Sequence, residues 1–248
     1  MTLPVIAPGT VEECFYAGIT ALNWAERYQG PVMLLTEMML AERTKNIAKP
    51  DIAKVVDERR KVYTGSNGYE RYAAQELSPM PIPGGHGSYV ANASEHDGIG
   101  DTTHLPSRHV HMTERRFSKL KLLEDGTYES RNTHHPIAIL PWGGSKGPAH
   151  EAYEILMEQS LPLAWYYTMY ISPMPPKLLE ELRSKELVIV PELNYLGQFS
   201  MVLRGLHVRA ESITQYTGLP FKVEDLARRV TKAVNAHRHA SKKIGAGV

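Results

Sequence analysis

The second half of the chain alternates short apolar runs with longer segments of helical periodicity, and this alternation constrains the fold more than any other feature. Residues 187–190 form a continuous apolar run, as in a strand that is buried on both faces. Strands that alternate with helices build a parallel sheet covered on both faces, so the predicted fold class is α/β. The predicted strands are 136–142, 163–170, 187–190 and 211–216. The predicted helices begin at Pro148 and at Pro175 or span 197–205 and 223–234.

The N-terminal region predicts one helix followed by one strand. Thr10 and Glu13 fit a capping box, and apolar residues recur at helical spacing between residues 11 and 22. Residues 32–36 are apolar and short enough for a central parallel strand. Together these elements form only half of an α/β unit, so the apolar stripe of the helix or the edge of the strand would stay exposed. We therefore predict that the isolated chain associates with other subunits.

A long segment rich in histidine, glycine and proline separates the two halves. Residues 82–111 lack apolar periodicity, and their mixed ionisable and spaced apolar residues favour an ordered, functional loop over a disordered one. Residues 51–61 are predicted to be helical with the isoleucine and valines inward, 63–77 to be a linker, and 111–123 to be helical. The histidines of the loop are His86, His96, His104, His109 and His111.

The charge balance and the cysteine content exclude several classes of protein. A formal net charge of +1 gives no indication of nucleic acid or an acidic membrane surface as a partner. Cys14 is the only cysteine, so the chain alone cannot hold an iron–sulfur cluster, a Cys-type zinc site or an internal disulfide, which suits a cytoplasmic protein. No apolar run of about 18 residues predicts a transmembrane helix, and residues 1–6 lack the features of a signal peptide.

The histidine-rich loop allows two interpretations besides metal binding. His109 and His111 would share one face of a strand but not of a helix, and the sequence has no His-Glu-x-x-His pattern. We therefore predict that the chain binds neither iron nor zinc stoichiometrically. The histidines are then polar loop residues packed against a partner, or Glu95, His96 and Asp97 face a polar pocket where a histidine moves protons near neutral pH.

Three further motifs have both a functional and a structural interpretation. Residues 143–147 lie between a predicted strand and a predicted helix, where backbone N–H groups favour the binding of anions. The segment has neither the residue order of a Walker loop nor the glycine spacing of a dinucleotide-binding loop, so we prefer the interpretation of a tight turn. The aromatic run 165–167, with Tyr170, is interpreted as sheet core or subunit interface. Glu192 and Asn194 follow a central strand and either line a cleft or cap the next helix.

Six segments, taken in order along the chain, resemble the α subunit of the 2-oxoacid:ferredoxin oxidoreductases, of the type that acts on 2-oxoglutarate and related acids. Their order and spacing agree along nearly the whole chain. The resemblance covers the rear of that subunit, because the family's Tyr-Pro-Ile-Thr-Pro and Arg-Gly-Gly-Pro-Ser-Thr-Gly motifs have no counterpart here. The segments are residues 7–16, 31–37, 78–84, 95–97, 142–147 and 190–198.

The resemblance implies that the chain has four parts. Residues 1–60 would be the C-terminal part of the thiamin pyrimidine-binding domain, and residues 61–130 the linker with the active-site loop. Residues 131–236 would be a domain similar to the C-terminal domain of transketolase, followed by a basic tail at 237–248. Another chain would supply the front half of the α subunit, unless the sequence is a fragment.

The resemblance also implies a reaction and its participants. The reaction is oxidative decarboxylation of a 2-oxoacid, such as 2-oxoglutarate or pyruvate, to acyl-CoA and carbon dioxide with reduction of ferredoxin. Thiamin diphosphate would supply the decarboxylation chemistry, and it would bind with Mg²⁺ and a [4Fe-4S] cluster to a partner β subunit. Coenzyme A would enter as a substrate. This chain would hold no cofactor and would be inactive alone. Glu95, His96 and Asp97 would lie nearest the substrate, as polar wall, substrate selectors or proton carriers.

Two other functions remain open. If the two absent motifs are required for catalysis, the chain is a non-catalytic assembly or regulatory subunit of such a complex. Alternatively, it is an independent metal-dependent hydrolase that uses the histidine-rich loop. Metal analysis of the purified protein separates the hydrolase from the other two hypotheses, and the neighbouring reading frames separate the enzyme subunit from the assembly subunit.

Overall fold

The structure is a computed structural model that describes residues 3–66, 68–73 and 77–245, without the side chains of residue 54 and residues 241–245. The linker predicted at 63–77 and the basic tail predicted at 237–248 therefore lie partly outside the described residues, as does the very start of the chain. Within the part of the chain that is described, no helix is both long and apolar enough to cross a membrane.

The predicted N-terminal helix is confirmed, with Thr10 as its N-cap. The backbone N–H of Glu13 donates to Thr10 Oγ1 at 3.1 Å. The Glu13 carboxylate accepts from the Gly9 N–H at 2.8 Å instead of reaching back to Thr10, so only half of the capping box forms. The elements of this region are strand β1 (Val5–Ile6), helix α1 (Val11–Tyr28), strand β2 (Met33–Leu34) and the one-turn helix α2 (Met38–Ala41).

The helix predicted at 51–61 is wrong. A single 3₁₀ turn forms at Ile52–Lys54, and the isoleucine and one of the two valines expected inside are exposed. The reason is that α1 holds the segment extended. Asn23 Nδ2 donates to the Val56 carbonyl at 2.7 Å, and the Glu58 N–H donates to Asn23 Oδ1 at 3.1 Å.

The helix predicted at 111–123 is confirmed but begins earlier. Helix α3 spans Pro106–Ser118 with the proline in its first turn, and a 3₁₀ turn continues it to Leu123. His109 and His111 therefore lie on a helix, where their spacing turns them toward different faces. The irregular part of the histidine-rich segment is residues 82–105.

The second half forms the predicted parallel sheet, which confirms the α/β fold class. Its strands are β3 (Glu129–Arg131), β4 (Ile137–Ile139), β5 (Ala164–Tyr167), β6 (Tyr170–Ser172), β7 (Leu187–Glu192) and β8 (Ala210–Thr214). Five of them form one sheet in the order β3-β5-β4-β7-β8, in which only β3 runs antiparallel to its neighbour. Trp165 and Tyr166 are fully buried in it, so the core interpretation of the aromatic run is confirmed.

Helices cover both faces of this sheet. Tyr153, Leu156 and Val230 are buried on one face, and Leu178 and Leu203 on the other. Burying each large apolar side chain contributes about 1.5–3 kcal/mol, so these two layers hold the sheet together. The helices are α4 (Lys146–Glu158), α5 (Pro176–Arg183), α6 (Gln198–Gly205) and α7 (Val223–Gly245).

Three predicted boundaries in this half are wrong. The last helix does not end at residue 234, because α7 continues beyond the buried Val234 to Gly245. The strand predicted at 163–170 divides into β5 and β6, since the Thr168 hydroxyl donates to the Thr127 carbonyl at 2.8 Å and turns the chain between them. Pro148 is the third residue of α4 and not its first.

A second, three-stranded sheet has the order β2-β1-β6. β2 pairs with β1 in parallel, and β6 joins β1 antiparallel from the second half. The strand predicted at 32–36 is shortened to two residues, and β2 lies at the edge of this sheet and not at its centre, which leaves exposed the strand edge that the half α/β unit predicts. Its two residues, Met33 and Leu34, are exposed at 45% and 39%.

Candidate functional site

Glu95 is firmly anchored in the loop. Its carboxylate accepts from Arg116 Nη1 at 3.2 Å and Nη2 at 2.6 Å, and it also contacts His109 Nδ1. The hydrogen bond from Arg116 is the main cause that lowers the pKa of Glu95 to about 2. A carboxylate with so low a pKa is a weak general base, so the geometry favours an anchoring role for Glu95.

His96 is packed into the base of the same loop. It is 8% exposed, and its ring lies on Tyr72 with 4.0 Å between the ring centroids. His96 Nδ1 lies 3.0 Å from the Asp97 carbonyl oxygen. The backbone around it forms a bridge with Thr102, so the histidine is held on three sides.

Asp97 caps a tight turn. Its Oδ1 accepts from the backbone N–H groups of Ile99 at 3.0 Å, Gly100 at 3.1 Å and Asp101 at 3.1 Å. Desolvation raises the pKa of the Asp97 carboxyl, but these backbone hydrogen bonds outweigh it and lower that pKa. Asp97 also lines a cavity of about 230 Å³ with Arg108. The structure therefore places three adjacent side chains against three different sets of partners.

A separate cleft of about 270 Å³ lies where the carboxyl ends of β1, β2, β4 and β7 meet. β4 leads through α4 to β5 on one side of the large sheet, whereas β7 leads through α6 to β8 on the other. The crevice between β4 and β7 is thus the point at which the chain reverses direction in the sheet, and α/β proteins bind ligands at such points. The lining residues are 7–8, 35–37, 142–145, 193–194 and 198.

Two polar atoms in the cleft lack partners. Among the described residues, neither Glu37 Oε1 nor Trp142 Nε1 has a hydrogen-bond partner. Desolvation raises the pKa of Glu37, although a hydrogen bond from the Met39 backbone opposes the shift. A Cβ atom at Gly144 would collide with the Glu37 carboxylate, so a side chain there would displace that carboxylate. Sequence reasoning missed Glu37 and Trp142 as lining residues of a cleft, although Glu37 follows the predicted strand 32–36 and Trp142 ends the predicted strand 136–142.

Glu192 is a structural residue beneath the cleft. It is fully buried and accepts from the backbone N–H groups of Phe199 at 2.8 Å and Ser200 at 2.9 Å. Ser200 Oγ and Asn194 Nδ2 also donate to it, at 2.7 Å and 3.0 Å. Asn194 Oδ1 in turn accepts from the Gly197 N–H at 2.7 Å. Of the two interpretations of Glu192, the geometry supports the helix cap.

The turn at residues 143–145 is a 3₁₀ turn. Ser145 Oγ lies 2.8 Å from the Trp142 carbonyl and 3.1 Å from the Pro191 carbonyl, and it ties the ends of β4 and β7 together. These contacts support the tight-turn interpretation of the segment 143–147.

Glu13 and Lys146 join the two halves of the chain beside the cleft. Lys146 Nζ donates to Glu13 Oε1 at 2.5 Å and to Glu129 Oε1 at 2.8 Å. The Tyr167 hydroxyl donates to Glu13 Oε2 at 2.6 Å, and burial raises the pKa of Tyr167. The pair lies 133 residues apart in sequence, so helical or strand periodicity gave no signal for it.

The described residues give little support for a metal or a diphosphate. No group of three or more His, Cys, Asp or Glu side chains within the described part of the chain is arranged to hold a metal ion. The residues that line the 270 Å³ cleft include no lysine, arginine or histidine. The cleft therefore does not fit the diphosphate of thiamin diphosphate, which needs positive charge or Mg²⁺.

Comparison with known proteins identifies relatives of the chain. Residues 1–115 match the family model described as pyruvate flavodoxin/ferredoxin oxidoreductase, thiamine diP-binding. An α subunit of 2-oxoacid:ferredoxin oxidoreductase 2 from Aeropyrum pernix is 31% identical over 244 residues, which cover 91% of this chain and 38% of that protein. The 2-oxoglutarate oxidoreductase subunit KorA from Mycobacterium tuberculosis is 27% identical over 93% of this chain and 36% of its own length.

A solved structure of the same kind of enzyme also matches this chain. It is a 2-oxoglutarate:ferredoxin oxidoreductase from Magnetococcus marinus with 2-oxoglutarate, coenzyme A and succinyl-CoA bound, and it matches with a TM-score of 0.84 and 29% identity. The chain is related to the 2-oxoacid:ferredoxin oxidoreductase α subunits. The resemblance read from the sequence is thereby confirmed. The match covers 92% of this chain but 42% of the solved one, so this sequence spans about two-fifths of these relatives.

The segments that resemble the α subunits are concentrated in space. Four of the six contribute lining residues to the 270 Å³ cleft, namely 7–16, 31–37, 142–147 and 190–198. The segment 95–97 lies in the loop outside it. The family model extends to residue 115 and so includes this loop with the N-terminal elements.

Proposed function

We propose that this chain is one subunit of a thiamin diphosphate-dependent 2-oxoacid:ferredoxin oxidoreductase. The complex would convert a 2-oxoacid, such as 2-oxoglutarate, to its acyl-CoA and carbon dioxide, with reduction of ferredoxin. The observation that supports this most is that four segments with the family's sequence meet around one cleft at the strand ends. The likeness to the α subunits is therefore a shared three-dimensional arrangement as well as a shared sequence.

The remaining participants are proposed to come from other chains. A β subunit would carry thiamin diphosphate, Mg²⁺ and the [4Fe-4S] cluster, because one cysteine cannot hold a cluster and the cleft has no cation for a diphosphate. A further chain would supply the part of the α subunit that this sequence does not span. Ferredoxin would accept the electrons and coenzyme A the acyl group, in the cytoplasm.

The loop residues are proposed to act near the substrate in the assembled complex. Arg116 holds Glu95, which fixes the position of the loop, and His96 packs against Tyr72. Asp97 is the member of the three that borders a cavity together with Arg108 and His111, so it is the side chain with space for a substrate group beside it. We also propose that the chain has four parts, with boundaries at residues 60, 130 and 236.

Purification of the complex from the source organism through a tagged copy of this chain tests the function. The complex should reduce ferredoxin only when a 2-oxoacid and coenzyme A are both present, and the lone chain should be inactive. If a complex that lacks this chain has full activity, the chain is a non-catalytic assembly subunit. Full activity of the lone chain as a monomer would refute the subunit proposal.

Substitutions in the loop test the role of its residues. His96→Ala and Asp97→Ala should lower kcat/KM or change the preference among 2-oxoacids, and each tenfold loss corresponds to about 1.4 kcal/mol of transition-state binding. Asp101→Ala, in the same loop, is the matched control. If Asp97 only caps its turn, the variant should melt at a lower temperature with unchanged kinetics per folded enzyme, and the active-site assignment would end.

A further inference from the structure

The charges of the chain are unevenly distributed, with a strongly basic segment at helix α7. Of the 28 lysine and arginine residues of the chain, six lie within residues 226–248, and none of its 27 aspartate and glutamate residues does. This segment therefore has a formal charge of +6, whereas residues 1–225 have a formal charge of −5. The small net charge of the whole chain conceals this separation, and a separation of this kind steers and orients charged partners.

The basic residues of α7 share the face that points away from the sheet. Leu226, Val230 and Val234 are fully buried against the large sheet. Positions 228, 232, 239 and 243 are four or seven residues apart, which places them together on the opposite face of the helix, and position 242 adjoins them. The basic stripe extends about 22 Å along α7 at 1.5 Å per residue, and it consists of Arg228, Lys232, His239, Lys242 and Lys243.

The stability of the helix does not account for the basic stripe. An exposed helix face gains stability when acidic and basic residues alternate four positions apart, whereas like charges at that spacing destabilise it. Arg228 contacts Asp225, but α7 has no acidic residue after Asp225, and Lys232 stands four positions from Arg228. Within the described part of the chain, Lys232 is exposed and forms no ion pair. The helix dipole favours cations in the last turn alone, so it explains the two lysines at 242 and 243 but not Lys232.

The surroundings of the basic stripe favour an acidic protein over other anionic partners. A helix that binds a lipid surface inserts its apolar face, but the apolar face of α7 is already covered by the sheet. Proteins that bind single strands of nucleic acid stack the bases on aromatic side chains, and residues 223–245 contain no phenylalanine, tyrosine or tryptophan. A long polyanion would also continue past the stripe onto the acidic remainder of the chain and be repelled there. A compact acidic surface avoids that repulsion.

We propose that the basic stripe is the docking surface for an acidic electron-carrier protein, the ferredoxin of the proposed function. The inference rests on the proposed function. An electron carrier has to bind and leave in every turnover, and such transient contacts are small and obtain their speed and orientation from complementary charge. The basic stripe provides that charge on a rigid helix, with no large apolar side chain among its residues.

The test compares two electron acceptors with the complex purified through an N-terminal tag on this chain, which leaves α7 unchanged. One acceptor is the ferredoxin of the source organism, and the other is methyl viologen, a cationic dye that needs no protein docking surface. Lys232→Gln removes one charge of the basic stripe, and Lys232→Glu reverses it. Lys177→Glu is the matched control, since Lys177 is exposed on α5, which covers the other face of the sheet. Melting of each variant shows whether it is folded.

The ferredoxin should have a negative net charge, and the effects should follow the charge at position 232. At low ionic strength kcat/KM for ferredoxin should fall with Lys232→Gln and by about tenfold with Lys232→Glu, because steering by complementary charge raises association rates by at least that factor. Salt at about 0.5 M should remove the difference, since it screens exposed charges. Kinetics with methyl viologen should not change, and Lys177→Glu should behave as wild type.

Several results would overturn the docking surface. They are a positively charged ferredoxin, unchanged ferredoxin kinetics in folded Lys232→Glu, an equal loss with methyl viologen, and an equal effect of Lys177→Glu. Binding of the complex to double-stranded DNA or to phosphatidylglycerol vesicles that disappears in Lys232→Glu, with ferredoxin kinetics unchanged, would assign the stripe to a different polyanion.

The two proposals fail in different ways. A complex that oxidises 2-oxoacids with methyl viologen, while Lys232→Glu leaves ferredoxin kinetics unchanged, would keep the proposed function and remove the docking surface. A complex without 2-oxoacid oxidation that binds ferredoxin in calorimetry, and loses about tenfold in affinity with Lys232→Glu, would do the reverse.

Discussion

Substitution of Glu13 should loosen the connection between the two halves of the chain. Glu13 accepts from the Gly9 N–H, Lys146 Nζ and the Tyr167 hydroxyl, and these groups belong to the first loop, to α4 and to β5. The side chains of Glu13 and Lys146 are 23% and 12% exposed, so water replaces little of what is lost. Removing one partner therefore leaves a charge that is poorly solvated.

The size of the effect follows from these contacts. A hydrogen bond to a charged group contributes about 1.5–3 kcal/mol, and breaking a buried ion pair costs about 3–5 kcal/mol. Glu13→Gln keeps an oxygen for Gly9 or Tyr167 but loses the charge, and Lys146 retains Glu129, which is 53% exposed. We therefore expect a loss of about 2–3 kcal/mol for Glu13→Gln and a smaller loss for Lys146→Met.

A double-mutant cycle on the free energy of unfolding measures the pair. Urea unfolding of wild type, Glu13→Gln, Lys146→Met and the double variant should give a coupling energy of about 1–2 kcal/mol. Repeating each curve at several protein concentrations removes the contribution of self-association. Losses that add within about 0.3 kcal/mol would refute the reasoning, because they would mean that the two charges do not stabilise each other.

The other predictions concern a buried cap, a partly buried lysine and metal content. Glu192→Ala should lower the free energy of unfolding by about 3–5 kcal/mol because four donors lose their acceptor, and a loss below about 1 kcal/mol in urea unfolding would contradict this. Desolvation, with repulsion from neighbouring arginines, lowers the pKa of Lys119 from 10.5 to about 8, so the native state binds fewer protons than the unfolded state between these values and stability should rise with pH across them. Lys119→Met should abolish that rise and increase the free energy of unfolding at pH 7 by about 1 kcal/mol. A free energy of unfolding that falls by the same amount at pH 7 and pH 10 would argue against a partly buried charge. Metal analysis should find neither iron nor zinc in stoichiometric amount, and one metal per chain that disappears with His109→Ala and His111→Ala would show a site.

Elements that satisfy themselves locally were predictable. Thr10 caps α1 through a residue three positions away, and residues 187–190 are apolar enough to be buried in any compact arrangement. The family segments were also legible, since they need only the order of residues. Glu95, His96 and Asp97 were identified as a group, but their orientation depends on Arg116, Tyr72 and the turn after residue 97, none of which periodicity reveals.

The sequence by itself determined the parallel sheet, its helices and the resemblance to the α subunits, because apolar periodicity, caps and motifs act within about one element. Tertiary structure decided the rest. α1 keeps 51–61 extended by competing for its backbone groups, and Thr168 bends one predicted strand into two. β2 lies at the edge of its sheet because no strand in the described part of the chain pairs with its outer side. The cleft with Glu37 and Trp142 arises where four strand ends far apart in sequence meet, and no local pattern encodes that meeting.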